Sequence, residues 1–334
     1  MRIVVLGAGR IGAFHAELLA RSPDVTALLV GDSDAGRGRV LAEKVGATYV
    51  EDLGAALATG ALDGVIIATP TPTHADLVHA ALDSGIPVFC EKPIALGVPA
   101  TRDVIAHAAA TGVPLQVGFQ RRFDAGYRAA RDAHRTGALG RVHTLRAVTA
   151  DPAPPHPDYI PMSGGQFRDM HIHDFDVIRF VTGREVVAVQ AAGSNIGADF
   201  FREAGDVDTT AAILMLDDGA LAVVTGSRYN GAGCDVRLEL AGATGTLAVG
   251  LDDHVPLRSA EPNVPWPFDP PYRGFLQRFA AAYQTELGDF LDYARGRIGC
   301  PCSAEDALAA LLIAEAAELS RHDGRPVQIA EVDR

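Results

Sequence analysis

Apolar and polar positions alternate in two distinct ways along the chain. In the first 120 residues, short apolar runs such as RIVVL, TALLV, GVIIA and PVFC are separated by segments whose apolar residues recur at helical spacing, as at Ile11, Phe14 and Leu18. Short runs bounded by turn residues indicate buried strands, and the intervening periodicity indicates amphipathic helices, including one between the runs ATYV and GVIIA. This succession predicts parallel strands with crossover helices, which form a doubly wound α/β sheet.

Beyond residue 140 the pattern changes to strands with a period of two. The runs RVHTLRAVTA, VVAVQAAG, TTAAILML, GALAVVTGS and DVRLELAG alternate apolar and polar residues, and several are separated by Asp-Gly or Gly-Thr turns. This pattern predicts an α+β domain with a largely antiparallel open sheet. We place the boundary in GFQRRFD, which divides the chain into domains 1–121 and 122–334. A last helix, from Ser303 to near Gly324, is available to pack back on the first domain.

Composition and charge narrow the possible partners. Of the 334 residues, 48% are hydrophobic and 21% are charged, and the formal net charge is -13. The excess of negative charge disfavours nucleic acids and anionic membranes, and no apolar run is long enough for a transmembrane helix. Because the first apolar run begins at residue 2, we expect no signal peptide. We therefore expect a cytoplasmic protein with four reduced cysteines and no metal site.

A glycine-rich turn joins the first strand to the first helix. Gly7, Gly9 and Gly12 spell GxGxxG, which binds a dinucleotide pyrophosphate when it follows a strand and opens a helix. The first glycine permits a tight turn, the second lets backbone approach the pyrophosphate, and the third lets the helix pack closely on the strand. Arg10 and Ile11, which lie between these glycines, complete this part of the predicted cofactor site.

An acidic residue at the end of the second apolar run bears on the choice of cofactor. Asp32 lies about 20 residues beyond the glycines, where an acid binds the adenosine ribose hydroxyls and repels a 2′-phosphate. This position favours NAD over NADP. Ser33 and Arg37 could contact a phosphate if the loop rearranged, so NADP is the alternative.

The segment GGQFRDMHIHDFD concentrates titratable side chains at the start of a predicted helix. Asp169 and His173 are four residues apart and share one helical face with Asp176, whereas His171 points away. Divergent histidines disfavour a metal site, although a strand would let His171 and His173 converge. A polar stripe beside a domain interface is the structural alternative. Oxidation of an alcohol, however, requires a base that titrates near neutrality, and His173 suits that role.

Several motifs together resemble the glucose-fructose oxidoreductase / inositol dehydrogenase family, and its inositol dehydrogenase branch most of all. They are GxGxxG, ATPTPTH, CEKP, GFQRRFD, SGGQFRDMHIHDFD and the C-terminal GRPVQI. The resemblance implies hydride transfer between NAD and a ring secondary alcohol of a cyclitol, such as inositol or an aminocyclitol, or of a sugar with a similar shape. It also implies a homodimer or homotetramer, in which one face of the second sheet covers the site and the other makes subunit contacts.

The resemblance also assigns roles to particular residues. Lys92, Asp169 and His173 match the family's catalytic group, with Lys92 donating a hydrogen bond to the reacting oxygen. Pro93 is expected to follow a cis bond. The other expected cofactor contacts, besides Lys92, are Thr69, Pro70, His74 and Glu91. His74 also suits a helix cap or a supporting role. The expected substrate contacts, besides the catalytic group, are Gln120, Arg122 and Tyr159. Residues 120–122 could equally lie on the surface.

One motif departs from the family pattern. Where inositol dehydrogenases typically carry YGYD, this chain has Ala232, Gly233, Cys234 and Asp235. The loss of two phenol rings enlarges and dries the pocket wall unless another side chain enters it. The candidates to do so are Tyr159, Tyr229, Asn230 and His156. We therefore expect a modified cyclitol or a pyranose to be a better substrate than myo-inositol. The alternatives are an NADP-linked sugar or diketone reductase of the same fold, or a cofactor-binding sensor without turnover.

Overall fold

Six strands near the amino terminus form a parallel sheet in the computed structural model, which describes residues 1–52, 54, 57 and 62–333. The strands are β1 Arg2–Leu6, β2 Ala27–Gly31, β3 Thr48–Val50, β4 Gly64–Ile67, β5 Val88–Glu91 and β6 Leu115–Gly118. Their order is β3-β2-β1-β4-β5-β6, and every pairing is parallel. The predicted doubly wound sheet is confirmed. Its strand order reverses between β1 and β4, where such sheets bind ligands.

Helices connect these strands in the predicted manner. They are α1 Arg10–Ala20, α2 Ala35–Val45, α3 His74–Asp83 and α4 Val98–Thr111. The helix expected between β3 and β4 falls mostly on residues outside the described ranges. The Asp34 side chain caps α2 by accepting a hydrogen bond from the Arg37 amide at 3.0 Å, and Gly46 ends the helix in the left-handed conformation.

A second sheet contains seven strands in the described part of the chain. They are β7 Val142–Ala150, β8 Val186–Ser194, β9 Thr209–Leu216, β10 Leu221–Ser227, β11 Asp235–Gly242, β12 Thr246–Val249 and β13 Val327–Gln328. The order is β12-β11-β7-β10-β9-β8-β13, and β7 with β10 is the one parallel pair among them. The predicted largely antiparallel sheet is confirmed, with a parallel pair that the sequence pattern does not reveal.

Helices and short turns complete the chain from residue 121 onward. The helices are α5 Ala125–Arg135, α6 Ile160–Ser163, α7 Ile172–Thr182, α8 Asp199–Glu203, α9 Phe275–Arg278, α10 Ala280–Ala294, α11 Ala304–Asp323 and α12 Ile329–Val332. A 3₁₀ turn at Pro157–Tyr159 and a π-helical turn at Phe167–His171 precede α7. Alternate residues of β9 and β10 are buried, so one face of the second sheet belongs to the core and the other is exposed.

The chain forms two units, and the first takes back residues from far along the sequence. The first unit comprises Met1–Gln120 and Ala281–Leu308, and the second comprises Arg121–Ala280 and Ala309–Arg334. This division differs from a single boundary after residue 121. The reason is that Leu287, Phe290 and Leu291 of α10 pack in the same apolar core as β1 and β5. Burial of such large side chains stabilises this arrangement by about 1.5 to 3 kcal/mol each.

Candidate active site

The three glycines of the first turn meet three different steric requirements. Gly7 has φ +98°, and a Cβ there would lie 2.4 Å from the Ala68 carbonyl oxygen. A Cβ at Gly12 would lie 1.9 Å from the Gly7 oxygen, so larger residues would push α1 away from the turn. At Gly9, by contrast, no heavy atom of the described residues lies within 4 Å of a Cβ position. That space at the N-terminus of α1 fits a dinucleotide pyrophosphate.

Asp32 lies at the carboxyl end of β2 and is tightly bound. Its Oδ2 accepts the Ala8 amide at 2.5 Å, and its Oδ1 accepts the Asp34 amide and Arg37 Nη2, each at 2.7 Å. Burial acts to raise the pKa of Asp32, but the hydrogen bonds from Arg37, Ala8 and Asp34 outweigh it and lower the pKa. The carboxylate is therefore anionic where ribose hydroxyls are expected. Arg37, which was considered for a phosphate contact, is bound to this carboxylate instead.

His74 joins two loops at the carboxyl edge of the first sheet. Its ring is buried, with Nδ1 2.8 Å from the carbonyl oxygen of Pro93 and Nε2 2.8 Å from that of Thr69. The histidine therefore ties the loop after β4 to the loop after β5. This geometry supports a positioning role for His74, while Thr69 and the exposed Pro70 have surface available to a ligand.

The Glu91-Lys92-Pro93 segment is held on both sides of the lysine. The Glu91 Oε1 atom lies 2.7 Å from Nε2 of the buried His15. On the other side, Pro93 follows the expected cis bond and contacts His74. These contacts fix the backbone that carries the half-buried Lys92 beyond the end of β5.

In the second unit, Asp169 lies on the π-helical turn that precedes α7. Its Oδ1 accepts a hydrogen bond from the Tyr159 hydroxyl at 2.7 Å, and its Oδ2 accepts one from Arg228 Nη2 at 2.6 Å. Arg228 also donates to Asp151 Oδ2 at 3.0 Å. Burial opposes the charge of Arg228, but the charges of Asp169 and Asp151 outweigh it and raise the pKa of Arg228. π-Helical turns of this kind occur frequently at functional sites.

The two neighbouring histidines have different environments. His171 is buried, with Nδ1 2.8 Å from Asp174 Oδ2 and Nε2 2.7 Å from Thr210 Oγ1. Neither partner belongs to the Asp169 cluster, which agrees with the expectation that His171 points away from Asp169. His173, one helical turn after Asp169, is half-buried and sits at the start of α7. His173 is therefore the histidine of this pair that a substrate could reach.

Three other expectations for this region find no support in the observed contacts. Arg122 was expected to contact substrate, but its guanidinium is buried and donates from Nε and Nη2 to Asp176 at 2.8 and 2.6 Å. A bidentate pair of this kind satisfies both partners and favours a structural role. Asp176 was expected to share a stripe with Asp169 and His173, but its carboxylate belongs to this separate ion pair. Gln120 is also buried, so its exposure does not support the predicted contact with substrate.

Residues 232–235, which depart from the family motif, are covered by residues 271 and 272 of the second unit. The Cys234 amide donates to the Tyr272 carbonyl oxygen at 2.9 Å, and a Cβ at Gly233 would lie 2.6 Å from Pro271 Cβ. Burial raises the pKa of the Cys234 thiol to about 12, so it stays protonated. Of the side chains considered for this space, Tyr159 contacts Asp169, whereas the Tyr229 hydroxyl binds the backbone amide of residue 198.

Within the described ranges, no group of three or more His, Cys, Asp or Glu side chains is arranged to hold a metal ion. No helix in that part of the chain is both long and apolar enough to cross a membrane.

Comparison with known proteins places the chain in a family. Residues 1–119 match the model of an oxidoreductase family with an NAD-binding Rossmann fold, and residues 127–248 match the GFO/IDH/MocA C-terminal domain. The chain is 38% identical to the myo-inositol dehydrogenase Hyg17 of Streptomyces leeuwenhoekii, over 97% of this chain and 98% of that protein. The chain belongs to the GFO/IDH/MocA family.

Other members of the GFO/IDH/MocA family are similarly close. The inositol 2-dehydrogenase of Rhizobium meliloti is 36% identical over 99% of both chains. The crystal structure of scyllo-inositol dehydrogenase from Lactobacillus casei, with bound NAD(H) and scyllo-inositol, has a TM-score of 0.90 and 29% identity over 99% of both chains. This GFO/IDH/MocA protein is thus an NAD-dependent oxidoreductase, and its glycine turn and Asp32 fit that cofactor.

Sequence patterns alone missed Arg228 and Asp151 in this GFO/IDH/MocA protein. The two residues directly follow Ser227 and Ala150, which are partners in the parallel pairing of β10 with β7. A charged residue immediately after an apolar strand is a visible signal for each of them. What the sequence does not show is that strands so far apart lie side by side, which brings the two charges together.

Proposed function

We propose that this protein oxidises a ring secondary alcohol of a cyclitol, such as an inositol or an aminocyclitol, or of a sugar with a similar shape. The observation that carries the proposal is the cluster around Asp169, where a carboxylate held by Tyr159 and Arg228 lies one helical turn from His173. Such a group can bind ring hydroxyls and accept a proton from one of them. The inositol dehydrogenases among its relatives support the same substrate class.

In the proposed mechanism, Lys92, Asp169 and His173 are the catalytic residues. When bound, NAD supplies the nicotinamide carbon that accepts the hydride. The hydroxyl proton must leave as the hydride leaves, because a protonated carbonyl would otherwise form. His173 accepts that proton, and the Lys92 ammonium donates a hydrogen bond that stabilises negative charge on the same oxygen. Asp169 orients the imidazole or accepts an adjacent ring hydroxyl.

The proposal also includes the residues that contact the cofactor and the substrate. The proposed NAD contacts are Gly7, Gly9, Arg10, Ile11, Gly12, Asp32, Thr69, Pro70, His74, Glu91 and Lys92. The proposed substrate contacts are Lys92, Tyr159, Asp169 and His173. The net charge of -13 makes nucleic acids and membranes improbable partners, and dependence on NAD suits a cytoplasmic location.

A homo-oligomer, dimer or tetramer, is also proposed. The exposed face of the second sheet carries the apolar side chains of Val187, Ile213, Leu221 and Val223, of which Ile213 and Val223 are cross-strand partners. Adjacent exposed apolar residues on a sheet favour contact with another protein surface. Light scattering of the purified protein tests this, and a monomer at micromolar concentration would contradict it.

The proposed function is tested with purified protein, NAD and a panel of cyclitols and sugars, by the absorbance of the reduced nicotinamide. Replacement of Lys92 by Ala should abolish turnover while leaving NAD affinity within about twofold, since the lysine faces the reacting oxygen and not the phosphates. The matched control is Lys44→Ala, because Lys44 makes an exposed ion pair with Glu17 on the surface of the same unit. Near-normal turnover in Lys92→Ala would remove this residue from the mechanism.

The principal alternatives make different predictions in the same assay. An NADP-linked reductase of this fold would prefer NADP, which the anionic Asp32 disfavours. A sensor without turnover would bind NAD and show no absorbance change with any polyol.

A further inference from the structure

Arg228 is a buried cation that no step of the proposed mechanism uses. Its side chain is 5% exposed and contacts two carboxylates, those of Asp169 and Asp151. Burial of an isolated cation is costly, so a site of this kind persists only when its charge is compensated. Within the proposed function, we infer that Arg228 is a positioning residue that holds Asp169 as an oriented anion, so that Asp169 is not the group that carries the substrate proton.

The backbone on both sides of this ion pair is held by the second sheet. The Asp151 amide donates to the Ser227 carbonyl oxygen at 2.9 Å, and the Arg228 amide donates to the Asp208 carbonyl oxygen at 2.8 Å. Asp151 therefore extends the pairing of β7 with β10 by one residue, and Arg228 extends the pairing of β10 with β9. A planar guanidinium on such a support has few alternative positions, and its two Nη atoms reach different carboxylates.

The two oxygens of Asp169 receive separate donors. Tyr159 donates to Oδ1 at 2.7 Å, and Arg228 donates to Oδ2 at 2.6 Å. Hydrogen bonds to a carboxylate stabilise its charged form over the protonated one. A proton arriving on Asp169 would have to compete with one of these donors. The proton of the substrate hydroxyl is therefore left to His173.

Arg228 also offsets the repulsion among nearby acids. Asp151 and Asp169 bind the same guanidinium, and the charge of Arg228 acts on Asp206 as well. Without the guanidinium, Asp169 would face like charge, which favours its protonation. Loss of Arg228 should therefore change how catalysis depends on pH, an effect that loss of a purely structural contact would not produce.

The test compares Arg228→Lys and Tyr159→Phe with the control Arg168→Lys. Arg168 precedes Asp169 in the chain, but its guanidinium binds Glu315 at 2.6 and 2.5 Å. For each variant, kcat and KM for the best polyol are measured across pH, together with thermal unfolding and NAD binding by fluorescence. Tyr159 is exposed, so its variant should fold even if replacement of the buried Arg228 lowers stability.

Arg228→Lys should lower kcat roughly 10- to 100-fold, the effect of one charge-assisted hydrogen bond, and leave NAD affinity unchanged. The acidic limb of the kcat/KM profile should move to higher pH, because a lysine ammonium lacks the planar fork that reaches Asp169 and Asp151 together, and Asp169 becomes easier to protonate when it loses this hydrogen bond. Tyr159→Phe should move the limb in the same direction by less, and Arg168→Lys should not move it.

Two outcomes would overturn the inference alone. One is an active wild-type protein whose pH profile is the same in Arg228→Lys and Tyr159→Phe. The other is a loss of kcat in these variants that follows loss of folded protein, with no change in the profile. If the wild-type protein turns over no polyol, the proposed function fails, and the inference that rests on it fails with it.

Discussion

At the scale of single residues, Asp32 carries the preference for NAD. Its carboxylate is anionic and already binds Arg37, so a 2′-phosphate at the end of β2 would meet negative charge. Asp32→Ala should weaken NAD binding by about 1.5 to 3 kcal/mol, the value of one charge-assisted hydrogen bond, and should release Arg37 for a phosphate. The ratio of kcat/KM for NAD to that for NADP should therefore fall.

The matched control is Asp34→Asn, which removes one charge from the same loop but keeps a residue that can cap α2. It should change the NAD to NADP ratio by less than twofold. A wild-type protein that uses NADP as well as or better than NAD would contradict the role given to Asp32.

Residue-scale features were predictable from sequence where the deciding geometry is local. Gly12 lies five residues from the Gly7 carbonyl oxygen that excludes a side chain, and the positive φ of Gly7 itself favours glycine, so a short motif contains the information. The role of Arg122 was not predictable in this way, because Asp176, 54 residues away, binds its guanidinium. A charged side chain near a site reveals its chemistry only when its partner is known.

At the scale of elements, His74 links the loop after β4 to the loop after β5. His74→Ala removes the contacts of the ring with both loop carbonyl oxygens and should lower the free energy of unfolding by about 1 to 3 kcal/mol. It should also lower kcat, because the backbone before Pro93 carries Lys92. Denaturant titration and steady-state kinetics check both effects.

The control is His79→Ala on the same helix, whose ring pairs with an exposed carboxylate of α4. This variant should change stability by less than about 0.5 kcal/mol, as surface substitutions usually do. Equal effects of the two variants on kcat would contradict the linking role of His74.

The network around Asp174 connects α7 with β7 and predicts a specific pH dependence of stability. Burial acts to raise the pKa of Asp174, but the charge of Arg121 and the hydrogen bond from His171 outweigh it and lower the pKa below its ordinary value of 3.8. Because the pKa of Asp174 is lower in the folded than in the unfolded state, the ionised carboxylate stabilises the fold above about pH 4. This stabilisation is lost as pH falls through the folded-state pKa.

Unfolding by denaturant between pH 7 and pH 3 checks this dependence. Asp174→Asn should be less stable at pH 7, because Arg121 keeps a buried charge without its carboxylate, and should lose less stability on acidification. The exposed Asp199→Asn should follow the wild-type curve. Parallel curves for the wild type and Asp174→Asn would contradict the assignment.

Strands could be predicted where the period of two was clear. Their pairing could not be predicted where the paired strands are far apart in the sequence. The period of two revealed the strands of the second sheet, but not that β7 and β10 run parallel. That pairing brings Asp151 to Arg228, so the sequence revealed Asp169 and His173 without the cation that holds Asp169. The π-helical turn was also missed, because its residues have the same apolar spacing as the start of an ordinary helix.

At the scale of the whole molecule, the order of the two domains was predictable from the sequence. Which residues belong to each domain was not. The glycine turn and the succession of strands and helices identified the first unit. The return of residues 281–308 to that unit depends on where the apolar face of α10 packs, which an amphipathic pattern does not specify. Helices of this kind can be assigned only when the surface that they cover is known.

The most direct measurement is kcat/KM with NAD for an aminocyclitol, scyllo-inositol, myo-inositol and glucose. We expect turnover of at least one cyclitol, with NAD preferred over NADP. We also expect the aminocyclitol or the pyranose to exceed myo-inositol, because Ala232 and Cys234 replace two phenol rings. A tenfold lead of myo-inositol, about 1.4 kcal/mol, would contradict the substrate prediction. Absence of turnover with all four compounds would contradict the proposed function itself.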